Sequence, residues 1–393
     1  MLSFYETSAI LRAAAAPLPP AMVPISEAEG LVLAEDVTAR IDSPRADVSA
    51  MDGYAVREAD LPGPFGRIGV SSAGTPSTAS LGPGETLRIF TGAHLPDGAD
   101  RVLVQEIVET DGDRVRLVGE YGDNRHVRHQ GSDYAAGDVL LRAGTLIGPN
   151  TIVLLAGADR AEVTAVRRPR VAVLATGDEL APPGTALETP GSLPESVSFG
   201  VAALARAWGG DVTNRLTAKD DAAAIARMAA EACKTCDVLT IIGGASVGER
   251  DFAKSALGDG GMDLLFSKAA IRPGKPIWVA ADRRGKYLVG LPGNPTSAMV
   301  TARLFLAPLL QALAGKDYDS ALSWEERRLS APLPAPGDRE HFARGISEEG
   351  TVRPIENQQS SSQATLAQAN VLIRQAANGD PVAAGECALC LPF

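Results

Sequence analysis

Thr240-Ile-Ile-Gly243-Gly244-Ala-Ser246-Val-Gly248-Glu-Arg-Asp251 reads as a buried strand that ends in a turn of small residues. A second turn, Leu291-Pro292-Gly293-Asn294-Pro295, follows another apolar run, Tyr287 to Leu291, and opens a helical pattern. Glycine carries no Cβ, so backbone N–H groups at such turns can approach an anion closely. Asp251 supplies a carboxylate beside that cradle, where a magnesium ligand is needed. Taken singly, each turn is equally well read as a plain strand-to-helix connection. Together they point to a phosphorylated ligand.

The same alternation extends in both directions. Val171–Ala175 reads as a strand ending in Thr176-Gly177-Asp178-Glu179, and Ser198–Trp208 as a helix. Val212–Leu216 follows as a strand and Asp220–Cys233 as an alanine-rich helix capped by Asp220 or Asp221. Beyond Val238–Ile242 come a helix over Phe252–Leu257, a strand at Leu288–Leu291 and a helix over Thr296–Leu313. This predicts a central doubly wound α/β domain over residues 169–316, with ligands collecting at the strand carboxyl ends. Residues 41–134 carry short β-like runs punctuated by Gly and Pro and predict a β-rich insert domain. Residues 1–40, with a helix over Phe4–Ala16, pair with 135–168 as a small N-terminal mixed domain. Residues 326–393 are again β-like and predict a small C-terminal barrel or sandwich.

At 393 residues and 45% hydrophobic content the chain can fill several cores. A formal charge of -11 argues against a general nucleic-acid or anionic-membrane binder, so an anionic ligand requires a local cationic pocket. No apolar stretch reaches the length of a membrane span and no basic n-region opens the chain, so a cytoplasmic protein is expected. The four cysteines form two Cys-x-x-Cys pairs, Cys233/Cys236 and Cys387/Cys390, a spacing that zinc sites share. One pair ends a helix, the other lies in a strand where residues three apart face opposite ways, and no Gly or Pro knuckle surrounds either. They are expected as reduced, buried or half-buried thiols. His126 and His129 read as part of a polar connection.

Glu179 and Asp251 can hold a divalent cation, with Asp220 a further candidate. Lys268, Arg272 and Lys275 surround a Pro-Gly turn and form a plausible anion clamp, although charged loops are commonly just solvated. With these residues in view, the chain resembles the molybdopterin molybdenumtransferases, bacterial relatives of the catalytic domain of gephyrin. The resemblance rests on Ser49-Ala-Met-Asp52-Gly-Tyr-Ala-Val56, Ile89-Phe-Thr91-Gly-Ala93, Ala175-Thr-Gly-Asp-Glu-Leu180, Gly243-Gly-Ala-Ser-Val-Gly248, Ile271-Arg-Pro-Gly-Lys-Pro276 and Leu291-Pro-Gly-Asn-Pro295, in unbroken order.

The resemblance implies a homodimer of four-domain subunits with a central α/β domain of the molybdopterin-binding type. The ligand site would lie between the α/β domain of one subunit and the β-rich domain of the other. The implied reaction takes adenylylated molybdopterin and molybdate, inserts molybdenum into the dithiolene and releases AMP, with Mg2+ required. By the same resemblance Asp52 and Thr91 reach the site from the β-rich domain. Glu179, Asp220, Asp251, Lys268, Arg272 and Lys275 belong to the α/β side, with Gly243, Gly244, Ser246, Gly248, Pro292, Gly293, Asn294 and Ser196 as ligand-binding positions. Arg128 and Asp133 match a family loop, Arg344 and Ser360 match polar positions of the C-terminal domain, and by the resemblance all four are ligand-binding positions.

The chain also departs from the family pattern. Arg272 stands where lysine is usual, exchanging a point cation for a planar fork. Glu195-Ser196-Val197 replaces Asp-Ser-Asn, and Val197 cannot hydrogen-bond a ligand. Gln359-Ser-Ser-Ser362 replaces a Gly-Ser-His pattern. A neighbouring step (molybdopterin adenylylation, or tungstate insertion) and a non-catalytic scaffold are the competing readings. Retention of Asp52, Thr91, Glu179, Asp251 and Lys268 favours catalysis, because carboxylates and cations at every strand end are costly to keep without use.

Overall fold

The computed structural model describes residues 1–243 and 262–393. Gly244, Ser246, Gly248, Asp251 and the helix expected over Phe252–Leu257 lie outside the described residues. The chain divides into two compact units, one of Met1–Ala21, Gly30–Val32 and Ala165–Phe393, the other of Met22–Glu29 and Leu33–Thr164.

The larger unit is built on the α/β domain. Its elements run β1 (Arg170–Thr176), α1 (Val197–Ala207), β2 (Asp211–Ala218), α2 (Ala222–Ala232), β3 (Val238–Ile242), β4 (Asp263–Ser267), β5 (Trp278–Ala281), β6 (Tyr287–Leu291) and α3 (Pro295–Leu313). The sheet order is β2-β1-β3-β6-β5-β4, with β2, β1, β3 and β6 parallel and β5 and β4 antiparallel at one edge. β1, β3 and β6 are almost continuous runs of buried Val, Ile, Leu and Ala, as strands covered on both faces must be. Gly290 of β6 lies under the Trp278 ring, where an added Cβ would sit 1.9 Å from ring atoms. α3 is long and apolar enough to cross a membrane, but it is buried within the fold as a core helix. Its middle turn, Ala302–Leu306, is π-helical just before Pro308, which has no N–H to give to the preceding turn.

Between the two aspartates named as caps, Asp221 takes the role. Its Oδ1 accepts the N–H groups of Ala223 (2.9 Å) and Ala224 (3.2 Å), which leaves Asp220 in the loop after β2. The other end of α2 is closed by Lys286, whose ammonium donates to the carbonyls of Cys233 and Cys236. Both of these thiols are buried, in line with expectation.

The C-terminal strands β7 (Glu325–Leu329), β8 (Glu340–Glu348), β9 (Thr351–Pro354), β10 (Val371–Gln375) and β11 (Cys387–Pro392) pair as β8-β9-β7-β11-β10. The β8–β10 pairing closes them into a five-stranded barrel. Cys390 points into this barrel, but Cys387 is exposed rather than half-buried, since odd and even strand positions face opposite ways. The first helix spans Phe4–Ala14, shorter than the Phe4–Ala16 expected, and is started by a capping box between Ser3 and Glu6. It was grouped by sequence with 135–168, yet it belongs to the larger unit, where Phe4 meets Phe305 and Phe342 edge-on at 5.6 and 5.2 Å.

The smaller unit holds a six-stranded sheet ordered Arg101–Val104, Gly53–Val56, Glu85–Ile89, Phe65–Ser71, Arg114–Leu117, Val108–Asp111. Ala55, Leu87, Ile89 and Val102 fill the core on one side, and Tyr54, Val56, Phe65 and Val115 fill that on the other.

At the amino end of β3, Asp237 accepts both guanidinium nitrogens of Arg167 (2.5 and 2.8 Å) and the backbone N–H of Arg170 (2.8 Å). Burial opposes the charge of Asp237, but these bonds outweigh it and hold the carboxyl at about 2, below the ordinary 3.8. A depressed folded value stabilises the fold above about pH 4 and is lost as pH falls toward 2, a contribution of about 2 kcal/mol. The urea midpoints of the wild type and Asp237→Asn should therefore differ most near neutrality and converge on acidification. Midpoints that stay equally far apart down to pH 2 would contradict this account.

Candidate active site

The strand order puts β1 beside β3, while the connection from β1 through α1 leads outward to β2. Such a switch point leaves a crevice at the carboxyl ends of the strands. A cavity of about 560 Å³ occupies it. Thr176, Gly177 and Glu179 after β1, Asp220 after β2, Gly243 after β3, and Gly293 and Asn294 after β6 all line it. The remaining wall comes from Glu195–Val197 at the start of α1 and from Ser361 and Gln363 next to the barrel.

Gly243 is what allows the turns to meet. Its φ is +89°, and an added Cβ would stand 2.7 Å from the carbonyl oxygen of Thr176 and 3.0 Å from its hydroxyl. Gly293 lies just across, with its Cβ position 3.6 Å from the Gly243 Cα. Asn294 is the N-cap of α3 but makes no capping bond, and Pro295 pre-sets the first helical turn. Its amide is thus available to a ligand. Glu179 and Asp220 are exposed, and neither forms an ion pair among the described residues. The Asp220 backbone N–H donates to the Asp178 carboxylate at 3.2 Å, which fixes the loop that presents it. Among the described residues no cluster of three metal-ligating side chains occurs. Two oxygen donors facing open space match magnesium, which takes few protein carboxylates and keeps its waters or phosphate oxygens.

Glu195 lines the cavity, but its carboxylate is committed to neighbouring groups. Its buried carboxylate accepts the backbone N–H and hydroxyl of Ser198 (2.8 and 2.6 Å) and a guanidinium N–H of Arg215 (3.4 Å). Arg215 in turn stacks on Phe199, 3.4 Å from the ring centroid. Glu195 therefore supplies the missing cap of α1 and sets Ser196 at the cavity rim. Ser196 receives a hydrogen bond from Gln363 at 3.1 Å, so the barrel side of the wall is pinned to α1. Gln363, Ser361 and Glu195 were not legible as wall or brace. Only the acidic residue three positions before Ser198 gave a capping signal.

Arg344 cannot contact a ligand, contrary to the sequence reading, because it is 0% exposed. Its guanidinium donates to the Thr296 hydroxyl (3.2 Å) and to the carbonyls of Asn357 (3.1 Å) and Gln359 (3.2 Å). The Ser360 carbonyl accepts the Thr296 N–H at 3.0 Å, answering an orphan donor of α3. Both residues hold the 357–363 segment against the helix start.

Lys268, Arg272 and Lys275 are exposed and do not line this cavity. Lys268 has φ +66° and donates its N–H to the Ile277 carbonyl at 2.8 Å. Arg272 lines a different cavity of about 810 Å³ with His341 and Arg353. Pro292 is buried just behind Gly293. In the smaller unit the Asp52 carboxylate accepts the backbone N–H and hydroxyl of Thr91, both at 2.8 Å, and these bonds, the backbone one first, hold it below the usual carboxylate range. Arg128 and Asp133 are exposed there, Arg128 on a short strand paired with Val48 and Asp133 within 3.5 Å of the Ser43 hydroxyl.

Comparison with known proteins identifies the family. Residues 2–158 match the MoeA N-terminal region (domain I and II), 172–312 a probable molybdopterin binding domain, and 326–393 the MoeA C-terminal region (domain IV). Molybdopterin molybdenumtransferase 2 of Mycobacterium tuberculosis (strain CDC 1551 / Oshkosh) is 35% identical over 380 residues, 93% of either chain. The chain belongs to the molybdopterin molybdenumtransferase family. The molybdopterin molybdenumtransferase of Staphylococcus aureus (strain Mu50 / ATCC 700699) is 35% identical over 76% of this chain and 72% of its own. A solved molybdopterin biosynthesis MoeA protein from Pyrococcus horikosii superposes with a TM-score of 0.82 at 27% identity, covering 100% of this chain and 99% of the other.

Gly243→Ala should bring the Thr176 carbonyl and the new methyl into conflict at a positive φ. The expected cost is about 1–3 kcal/mol of stability by urea denaturation. An alanine variant as stable as the wild type would remove Gly243 as the closure point of the cavity.

Proposed function

We propose that this protein is a molybdopterin molybdenumtransferase of molybdenum cofactor biosynthesis. Molybdenum passes from molybdate into the dithiolene of adenylylated molybdopterin, and AMP is released. The observation that carries this reading is the cavity at the strand ends, which Glu179 and Asp220 line together with Gly243 and Gly293, in a chain of this family.

The phosphate-bearing part of the substrate is proposed to sit against the backbone of Gly243 and Gly293, where no Cβ obstructs approach. Asn294 and Ser196 would orient it by hydrogen bonds, with Val197 closing the wall as an apolar surface. Glu179 and Asp220 would hold Mg2+, joined by Asp251 from outside the described residues. When bound, that ion would neutralise phosphate oxygens and ease departure of AMP. No side-chain nucleophile is required. Lys268, Arg272 and Lys275 remain proposed anion contacts, and Asp52, Thr91, Arg128 and Asp133 are proposed to reach the site of a second copy in a homodimer. A cytoplasmic setting is proposed with the same reading.

Glu179→Gln and Asp220→Asn keep size and remove charge. Each should lower molybdate-dependent AMP release from adenylylated molybdopterin by roughly 10²-fold. Excess Mg2+ should partly restore rates if metal affinity is what was lost. Wild-type protein that binds the substrate tightly but releases no AMP with molybdate and Mg2+ would instead mark a scaffold or a neighbouring step.

A further inference from the structure

In the smaller unit Asp52 stands immediately before a central strand of the sheet. Gly53 pairs with Ile89 on one side and with Val104 on the other. A Cβ on Gly53 would lie 2.0 Å from the Leu103 carbonyl oxygen, so the main chain is fixed there. One oxygen of the Asp52 side chain, Oδ1, accepts the N–H and hydroxyl of Thr91. Its other oxygen makes no hydrogen bond among the described residues and is left for a ligand.

Arg88 lies directly opposite Tyr54 on the neighbouring antiparallel strand. Its guanidinium stacks on Tyr54 and Phe90, 5.1 and 4.9 Å from the ring centroids. One Nη donates to the Gly53 carbonyl at 3.0 Å and the other to Oε1 of Gln105 at 2.6 Å. The Gln105 backbone N–H in turn donates to the Asp52 carbonyl at 3.2 Å. The consecutive carbonyls of Asp52 and Gly53 are thus tied to one guanidinium, through Gln105 and directly.

We propose that Arg88 is a positioning residue for Asp52 and Thr91, acting through them without touching substrate. The proposal rests on the functional reading above, in which these two residues reach the reaction site.

Packing alone does not account for the contacts. A methionine would fill the space beside two rings with no polar group to satisfy, whereas here both arms of a rigid fork hold the segment that carries Asp52. Phe90, the residue before Thr91, is 39% exposed, so burial holds it only in part and the cation against its ring supplies further restraint. Arg88 forms no ion pair among the described residues, so its charge is left to act on Asp52. The Asp52 carboxyl is held below the ordinary carboxylate range by the Thr91 N–H and then its hydroxyl, against the cost of burial, with the Arg88 charge adding to them. The other charged group nearby is Glu106, whose carboxylate accepts from the Gln105 amide at 3.2 Å. A depressed carboxyl stays ionised until pH falls through its folded value. Without Arg88 that value rises, and the ionised form is lost at a higher pH.

The test is a carboxyl NMR titration of the full chain, isotopically labelled in aspartate, with Asp52→Asn to assign the signal. Arg88→Met should raise the Asp52 titration toward the ordinary aspartate value, and Arg88→Lys, which keeps the charge, should return it. In AMP release, Arg88→Met should lower kcat on the order of tenfold with KM little changed, and move the acid limb to higher pH. In an Asp52→Ala background the same substitution should add no further loss. Asp52 titrations that coincide in the wild type and Arg88→Met, or losses that multiply in the double variant, would overturn the proposal. Wild-type protein that releases no AMP would count against the functional reading instead, and the titration would still decide the role of Arg88. Urea midpoints check that each variant is folded.

Discussion

The contact between Gly243 and Thr176 is the constraint on which the rest of the molecule turns. Parallel β1 and β3 are hydrogen-bonded neighbours, so Gly243, the residue that follows β3, is held against the end of β1. With φ +89° and the Thr176 carbonyl 2.7 Å from a would-be Cβ, only glycine fits this passage without displacement. The close approach keeps Gly177, Gly243 and Gly293 around one cavity. It also leaves backbone as the cavity floor, which suits an anionic ligand in an acidic protein better than a floor of side chains would.

Around that floor the wall is held by groups that are committed to their neighbours. Glu195 and Arg215 fix the start of α1 through Ser198, and Arg344 fixes the 357–363 segment through Thr296 and two carbonyls. Arg344 is fully buried and its Nε has no partner among the described residues, a cost that the remaining bonds offset. The Gln363–Ser196 bond then joins the two braces across the rim. The barrel is thereby part of the cavity's structure, which its modest size would not suggest.

Much of this was legible in the chain. Long apolar runs ending at Thr176, Ile242 and Leu291 located the strands, because parallel strands buried on both faces leave no alternation to misread. Asp220 and Asp221 were both named as caps, and only backbone geometry separated the one that caps α2 from the one left at the cavity. Arg344 was carried over as a ligand position by family resemblance, and its full burial is visible only in the fold. The cations near Pro273 were grouped around their shared turn and joined to the carboxylates by family resemblance, yet Arg272 opens onto another cavity.

The sequence by itself determined the order of elements, the glycine turns and the family, since these follow from local periodicity and from motifs read one after another. Tertiary structure decided which polar groups share a space. Glu195 and Ser196 are neighbours in the chain, but one is buried under a helix end and the other stands at a rim. Gln363 and Ser196 are distant in the chain and hydrogen-bonded in the fold. Arg167, Arg170 and Arg206 come together only because the start of β1 and the end of α1 meet at one sheet edge. Side-chain direction depends on the packing of every neighbouring element, and no local pattern in the chain encodes that.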